Sequence, residues 1–249
     1  MEHGSMEHGS MDHGSMDMSP FGIPLAEGAE EDRDGLEMDV LHVTFGPILP
    51  AWPAGLVLNA TLHGDVIMDV RVNAVDVDVD VDVDLDLDVD AHPVSPVESP
   101  SVSAARLYGR AADLLCLAGA GRLAARARDL RDALAERKPV DHAAAARLRS
   151  GVARSVLLRW SLRGVTPLSD ADLRILGLPE DCRGDVFDRL LTLLDRAASI
   201  ASGEEAVSVD AVPLPALPAL LAGLEVGQMR LTVAGLALEV LPMRGHVHG

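Results

Sequence analysis

Apolar residues recur at three- and four-residue intervals through much of residues 104–202, and this spacing predicts that the second half of the chain is helical. The pattern is clear at Leu107, Ala111, Leu114, Leu115 and Ala118, which share one face of a helix. Because an apolar face must be buried against another element, the chain is expected to form a body of packed helices.

Capping and breaking residues set the bounds of these helices. Gly119 and Gly121 predict a break or kink in the first, Asp141 is the expected N-cap of the second, and Gly164 is its expected stop. The predicted helices cover residues 104–137, 141–163, 170–176 and 185–202. A short helical turn follows the prolines at 213–218, and MRLTVAGLALEVL (229–241) predicts a closing hairpin.

The first half of the chain has strand character instead. MDVLHVTF (38–45), LVLNATL (56–62) and DVIMDVRV (65–72) read as strands, and His63-Gly64 joins the last two through a tight turn. The sequence therefore predicts an α+β protein with a small N-terminal antiparallel sheet, an α-helical body, a disordered acidic N-terminal tail and a C-terminal hairpin. The expected segments are a tail (1–37), a hairpin region (38–75), an Asp-Val run with linker (76–100) and the helical body with its hairpin (101–249).

Charge is divided unevenly along the chain. Residues 1–100 carry 22 of the 39 acidic residues and two bases, whereas residues 101–249 carry 17 acids and 19 bases. A net charge of −18 and an aromatic content of 2% argue against a nucleic-acid partner. Neither a signal peptide nor an apolar run of transmembrane length is evident. These features predict a cytoplasmic protein, one that is at most peripheral to a membrane complex.

Cys116 and Cys182 have no CxxC partner, and Cys116 lies among leucines. No disulfide framework is implied, and Cys116 is expected to be a small buried apolar residue.

The N-terminal pentapeptide repeats contain soft and imidazole metal ligands. Each repeat histidine precedes a methionine by three residues, and His3 stands third from the amino terminus. Thioethers suit Cu(I), while imidazole, amine and backbone amides suit Cu(II) or Ni(II). The candidate metal ligands are Met1, His3, Met6, His8, Met11, His13, Met16 and Met18. The alternative is a solvated low-complexity tail with no metal role in the cell.

The run from Asp76 to Asp90 alternates eight aspartates with Val or Leu. Such a period of two fits a strand only if its apolar face is covered, and otherwise a disordered low-complexity expansion. Carboxylates in one line cannot wrap a cation, so no calcium site is predicted.

The stretch from Gly46 to Asp65 resembles the large quinone-site component of respiratory complex I, the NADH-quinone oxidoreductase. That family is related to the large subunits of nickel–iron hydrogenases, and it reads Gly-Pro-x-His-Pro-x-x-His-Gly, then a strand, then Asp-Gly-Glu. Gly46, Pro47, Pro50, Gly64 and Asp65 match it without gaps. The resemblance covers about Leu41 to Val72 and implies a family-like N-terminal sheet followed by a helical body.

The chain departs from the family where the chemistry resides. Leu49 and Pro53 stand where the two quinone-site histidines belong, the only tyrosine, Tyr108, has different surroundings, and hydrogenase cysteine pairs are missing. The resemblance therefore implies a degenerate, shortened, non-catalytic accessory or assembly-type protein. Its expected partners are respiratory-complex-like subunits, reached through residues 45–67 and the helical body, and no catalytic or cofactor-binding residue is assigned. Two alternatives are a copper- or nickel-binding protein acting through its tail, and an oxidoreductase component active only within a larger complex.

Overall fold

A computed structural model describes residues 30–31, 37–38, 40–74, 99–139, 141–205 and 212–238. Within these residues the strands are β1 (Glu30–Glu31), β2 (Glu37–Met38), β3 (Val40–Phe45), β4 (Leu56–His63) and β5 (Val66–Ala74). β1 and β2 pair antiparallel, so strand pairing begins within the stretch that was predicted to be a disordered tail. β3, β4 and β5 form the predicted antiparallel sheet in that order.

The central strand β4 explains why this sheet has one buried face. Leu56, Leu58, Ala60 and Leu62 alternate with less buried residues and point toward the protein interior. The register shifts between Thr61 and Leu62, opposite β5. The N-terminal end of β5 is covered by backbone hydrogen bonds that join Asp65 and Ile67 to residues 223–226, which protects this part of the sheet edge.

The helical body follows the sheet, as predicted. Its helices are α1 (Pro100–Leu117), α2 (Gly121–Ala135), α3 (His142–Arg154), α4 (Val156–Leu162), α5 (Asp170–Leu176), α6 (Val186–Ser202), α7 (Leu217–Leu221) and α8 (Val226–Gly235). Short 3₁₀ turns lie at Glu180–Cys182 and Leu214–Ala216. The α+β class is thus confirmed.

Local capping chemistry sets several helix ends. Ser169 and Asp172 form a reciprocal capping box at the start of α5, and Asp185 and Asp188 form another at α6. The predicted single helix over 141–163 is wrong: it divides at Ser155, whose extended backbone ends α3 and whose side chain caps α4.

The predicted C-terminal hairpin is also wrong, because residues 226–235 form helix α8. Met229 and Val233 of α8 pack in the core beneath the sheet, whereas Leu231 and Ala234 pack against the core of the helical body. A helix buried on two sides carries apolar residues all round, so its sequence loses the one-sided period that identifies a surface helix. α8 thereby joins the two cores.

Cys116 is exposed rather than buried. Its neighbours Leu114 and Leu115 turn into the core, and at 100° per residue the position after them turns outward. Cys182, in contrast, is buried, and that burial raises the pKa of its thiol to about 11.

Candidate functional site

The predicted metal ligands lie outside the described residues. This applies to the whole set: Met1, His3, Met6, His8, Met11, His13, Met16 and Met18. The Asp76–Asp90 run also falls outside. Within the ranges that the structure describes, no three His, Cys, Asp or Glu side chains come together to hold a metal ion.

The proline-rich loop between β3 and β4 is tied to the rest of the fold by hydrogen bonds. The Trp52 indole N–H donates to the Leu56 carbonyl at 2.9 Å, and the Leu56 N–H donates to the Pro53 carbonyl at 3.2 Å. Arg230 of α8 donates to the Pro50 carbonyl at 2.9 Å. The loop is therefore fixed both internally and against the helical body.

Gly46 allows this loop to close. Its φ is +91°, and a Cβ added there would lie 2.0 Å from the Leu56 carbonyl oxygen and 2.8 Å from Trp52 Nε1. Since real Cβ atoms do not approach backbone oxygen this closely, only glycine fits the position. The Phe45 and Trp52 rings then pack with centroids 6.4 Å apart.

A cleft of about 340 Å³ lies between this loop, α1 and α8. The loop lines it with residues 51–54, and α8 and its C-terminal end line it with Val233, Ala234, Ala237 and Leu238. Among the described residues, its charged lining comes from α1. Of the two positions that the resemblance aligns with histidines, Pro53 lines the cleft, whereas Leu49 is not among its lining residues.

The charged lining consists of Arg106, Arg110 and Asp113 on one side of α1. Arg110 also donates to the Leu238 carbonyl at 2.7 Å. Desolvation raises the pKa of Asp113, while nearby Arg128, Arg131 and Arg110 act in the opposite direction. The cleft can therefore accommodate a small molecule with both apolar and charged groups.

Tyr108 faces away from this cleft. It lies two residues from both Arg106 and Arg110 on α1, so it projects to the opposite side, into the core of the helical body. Its hydroxyl is buried with no hydrogen-bond partner among the described residues. Burial, and secondarily the charge of Asp195, raise its pKa to about 12.

We expect Tyr108→Phe to leave the fold intact and to raise the free energy of unfolding by about 1 kcal/mol, because it removes an unsatisfied buried hydroxyl. The pKa of Tyr108 is raised in the folded protein. Its contribution to the stability of the wild type is therefore complete below the unfolded-state pKa near 10, and it is lost as the pH rises toward about 12. The advantage of the variant should therefore grow in that window. Urea unfolding of both proteins at neutral and alkaline pH measures it, and a less stable variant at pH 7 would contradict the assignment.

Sequence reasoning missed Arg189, the largest fully buried side chain of the described residues. Its Nη1 donates to the carbonyls of Thr166, Cys182 and Gly184 at 3.1, 3.2 and 2.8 Å. Burial lowers the pKa of the guanidinium to about 10, so it stays charged at neutral pH. Arg189 lies three residues after buried Val186 and four before buried Leu193, and this position on the apolar face of α6 was the available signal.

In comparisons with known proteins, no family model matches this chain and no curated protein is significantly similar to it. In the described part of the chain, no helix is both long enough and apolar enough to cross a bilayer.

Proposed function

We propose that this chain is a non-catalytic accessory or assembly-type protein, a degenerate relative of the family of large quinone-site components of complex I. The observation that carries the proposal is the chemistry of the 46–55 loop. Its contribution to the cleft is Ala51, Trp52, Pro53 and Ala54, and the one side-chain donor among them, the Trp52 indole, is already bonded to Leu56. Quinone reduction needs a nearby proton donor, and this loop offers no ionisable group.

The same loop has a surface that suits partner binding. Ile48 of this loop is 91% exposed, whereas Trp52 points inward. An exposed aliphatic side chain on a braced loop resembles the preorganised anchors that protein interfaces use. Respiratory-complex-like subunits are the partners that the family resemblance implies. Ile48→Asp is expected to weaken co-elution with such subunits, and Met68→Asp, on the sheet, serves as the exposed control.

A quinone titration tests the non-catalytic assignment. Trp160→Phe leaves Trp52 as the sole tryptophan, and Trp52 lines the cleft. We expect its fluorescence to show no saturable change with micromolar quinone. Saturable quenching would overturn the proposal, and a variant with Trp52→Phe instead reports any non-specific quenching through Trp160.

The charged side of the cleft favours a second candidate, an oxidoreductase component active only within a larger complex. Asp113 is a carboxyl whose pKa is raised, and it lies beside the cleft with Arg106 and Arg110. Perturbed carboxyls in clefts are common in proton-transfer sites. If quinone quenches Trp52 fluorescence and Asp113→Asn weakens that response, this candidate replaces the first.

A copper or nickel function remains a separate proposal supported by the composition of residues 1–18 alone. We expect the full chain to bind Cu(II) or Ni(II) through the His3 end and Cu(I) through the His–Met repeats. Calorimetric titration of the full chain against a chain lacking residues 1–20 measures this. Equal binding by both would exclude the tail.

A further inference from the structure

Helix α4 exposes an unusually apolar surface. Val156, Leu157 and Trp160 are 78%, 61% and 82% exposed, although Leu158 and Leu162 of the same helix are fully buried. A solvent-facing tryptophan beside two aliphatic side chains is the composition of interface centres rather than of ordinary surface.

The charges that flank α4 along the chain are all positive. Residues 142–169 contain five arginines and no Asp or Glu, within a chain whose net charge is −18. Arg154, Arg159 and Arg163 are exposed on and beside α4 and form no ion pair with the described residues. The nearby acids Asp185 and Asp188 are engaged in the α6 capping box, and Asp185 also accepts the Gly164 N–H at 3.0 Å.

Two of these arginines are held in place. The guanidinium carbons of Arg159 and Arg163 lie 6.0 and 5.4 Å from the ring centroid of Phe187, and Arg159 also donates to the Ala153 carbonyl at 2.6 Å. Held arginines lose less conformational entropy when they bind a carboxylate than free ones do. The α4 surface, defined as Val156, Leu157, Trp160, Arg154, Arg159 and Arg163, is therefore preorganised for an anionic ligand with an apolar body.

We propose that the α4 surface binds a segment of a partner protein in which acidic residues alternate with aliphatic ones. Carboxylates would pair with the arginines, and aliphatic side chains would cover Trp160 and Leu157. This inference rests on the proposed accessory role, because it names the class of partner.

Charge complementarity selects this occupant over an anionic membrane. A bilayer presents negative charge to the whole protein, whose excess acids would be repelled, whereas a peptide segment meets the α4 surface locally. At physiological salt the Debye length is about 8 Å, so acids elsewhere in the chain repel a docked peptide weakly while its direct ion pairs persist.

Fluorescence anisotropy of a labelled peptide of alternating Asp and Leu, titrated with the full chain, tests the proposal. We expect saturable binding that weakens as salt rises, and at least about tenfold weaker binding by Trp160→Ala and by Arg159→Glu/Arg163→Glu. Matched controls on α5, Ile175→Ala and Arg174→Glu, are expected to bind like the wild type, since they alter an exposed apolar residue and an exposed arginine elsewhere. A peptide with Asn in place of Asp should bind at least about tenfold less tightly.

Five outcomes would overturn the proposal, the first four of them seen in binding or self-association. Those four are no binding by the wild type, equal binding by all variants, binding only to anionic phosphatidylglycerol vesicles, and self-association that Trp160→Ala abolishes. Peptide binding that requires prior deletion of residues 76–90 would assign the surface to the chain's own acidic run, and so also overturn it. Quinone binding at Trp52 bears on the accessory role alone, so the two proposals can fail separately.

Discussion

Replacing Arg189 by Met is expected to lower the free energy of unfolding by about 2–4 kcal/mol. Its Nη1 donates to the backbone carbonyls of Thr166, Cys182 and Gly184, which all lie in the segment between α4 and α6. Met fills a similar volume but donates nothing, so the Thr166 and Cys182 carbonyls lose this donor, while the Gly184 carbonyl keeps the N–H of Leu168. Relief of guanidinium desolvation offsets part of this cost, since burial already lowers its pKa to about 10. The loss of several charge-assisted hydrogen bonds outweighs that relief.

Arg149→Met is the matched control. Arg149 makes a bidentate ion pair with Asp195, with N···O distances of 3.0 and 3.1 Å. Both side chains of this pair are exposed. Exposed pairs contribute at most about 1 kcal/mol because solvent screens them. Urea unfolding of both variants compares the two. If Arg149→Met proves the more destabilising, burial is not what makes Arg189 important.

Arg189 also shows where sequence reasoning reaches its limit. The apolar residues of α6 recur at three- and four-residue spacing, as at Val186, Leu190 and Leu194, and all three are buried. Spacing ranks residues by hydrophobicity, so it cannot reveal that a charged side chain on that face has carbonyl partners 5, 7 and 23 residues earlier in the chain. Those partners arise only after the 166–184 segment folds back onto α6.

The strands and most helix ends were predictable because local chemistry decides them. Ser169 and Asp185 cap their helices with side chains that the sequence displays, and Gly177 ends α5 in a left-handed conformation. The end of the chain was not predictable in this way. Helix α8 is packed on two sides, and the apolar residues it buries on both had the appearance of alternating strands.

The candidate site, too, could be predicted only in part. The Gly-Pro loop could be identified from sequence, but its cleft depends on α1 and α8, which are distant in the chain. The exposure of Trp160 could not be predicted either. The sequence predicted one helix over 141–163, whereas a break at Ser155 starts α4 as a separate helix.

Gly46→Ala is expected to destabilise the protein by about 3 kcal/mol or more and to disrupt the loop before β4. The new Cβ would lie 2.0 Å from the Leu56 carbonyl oxygen, and backbone cannot yield as a flexible side chain does. Relieving that overlap must move the carbonyl that Trp52 binds, or move Gly46 away from φ +91°. Either movement is expected to weaken the hydrogen bond between Trp52 and Leu56 and to change the shape of the cleft that Trp52 lines. Thermal unfolding and Trp52 fluorescence in a Trp160→Phe background report the two effects.

Gly64→Ala separates backbone strain from this steric overlap. Gly64 also has a positive φ, +62°, but a Cβ there meets nothing within 4 Å, so only the left-handed conformation costs energy, about 1 kcal/mol. Both glycines match the pattern of the complex I quinone-site family, so the comparison also bears on what the resemblance represents. A large loss at Gly46 and a small one at Gly64 would mean that the glycine at 46 maintains the loop geometry whether or not quinone-site histidines accompany it. Equal, small losses at both positions would contradict the tight packing of Gly46 against Leu56 and leave the loop free to adopt other shapes.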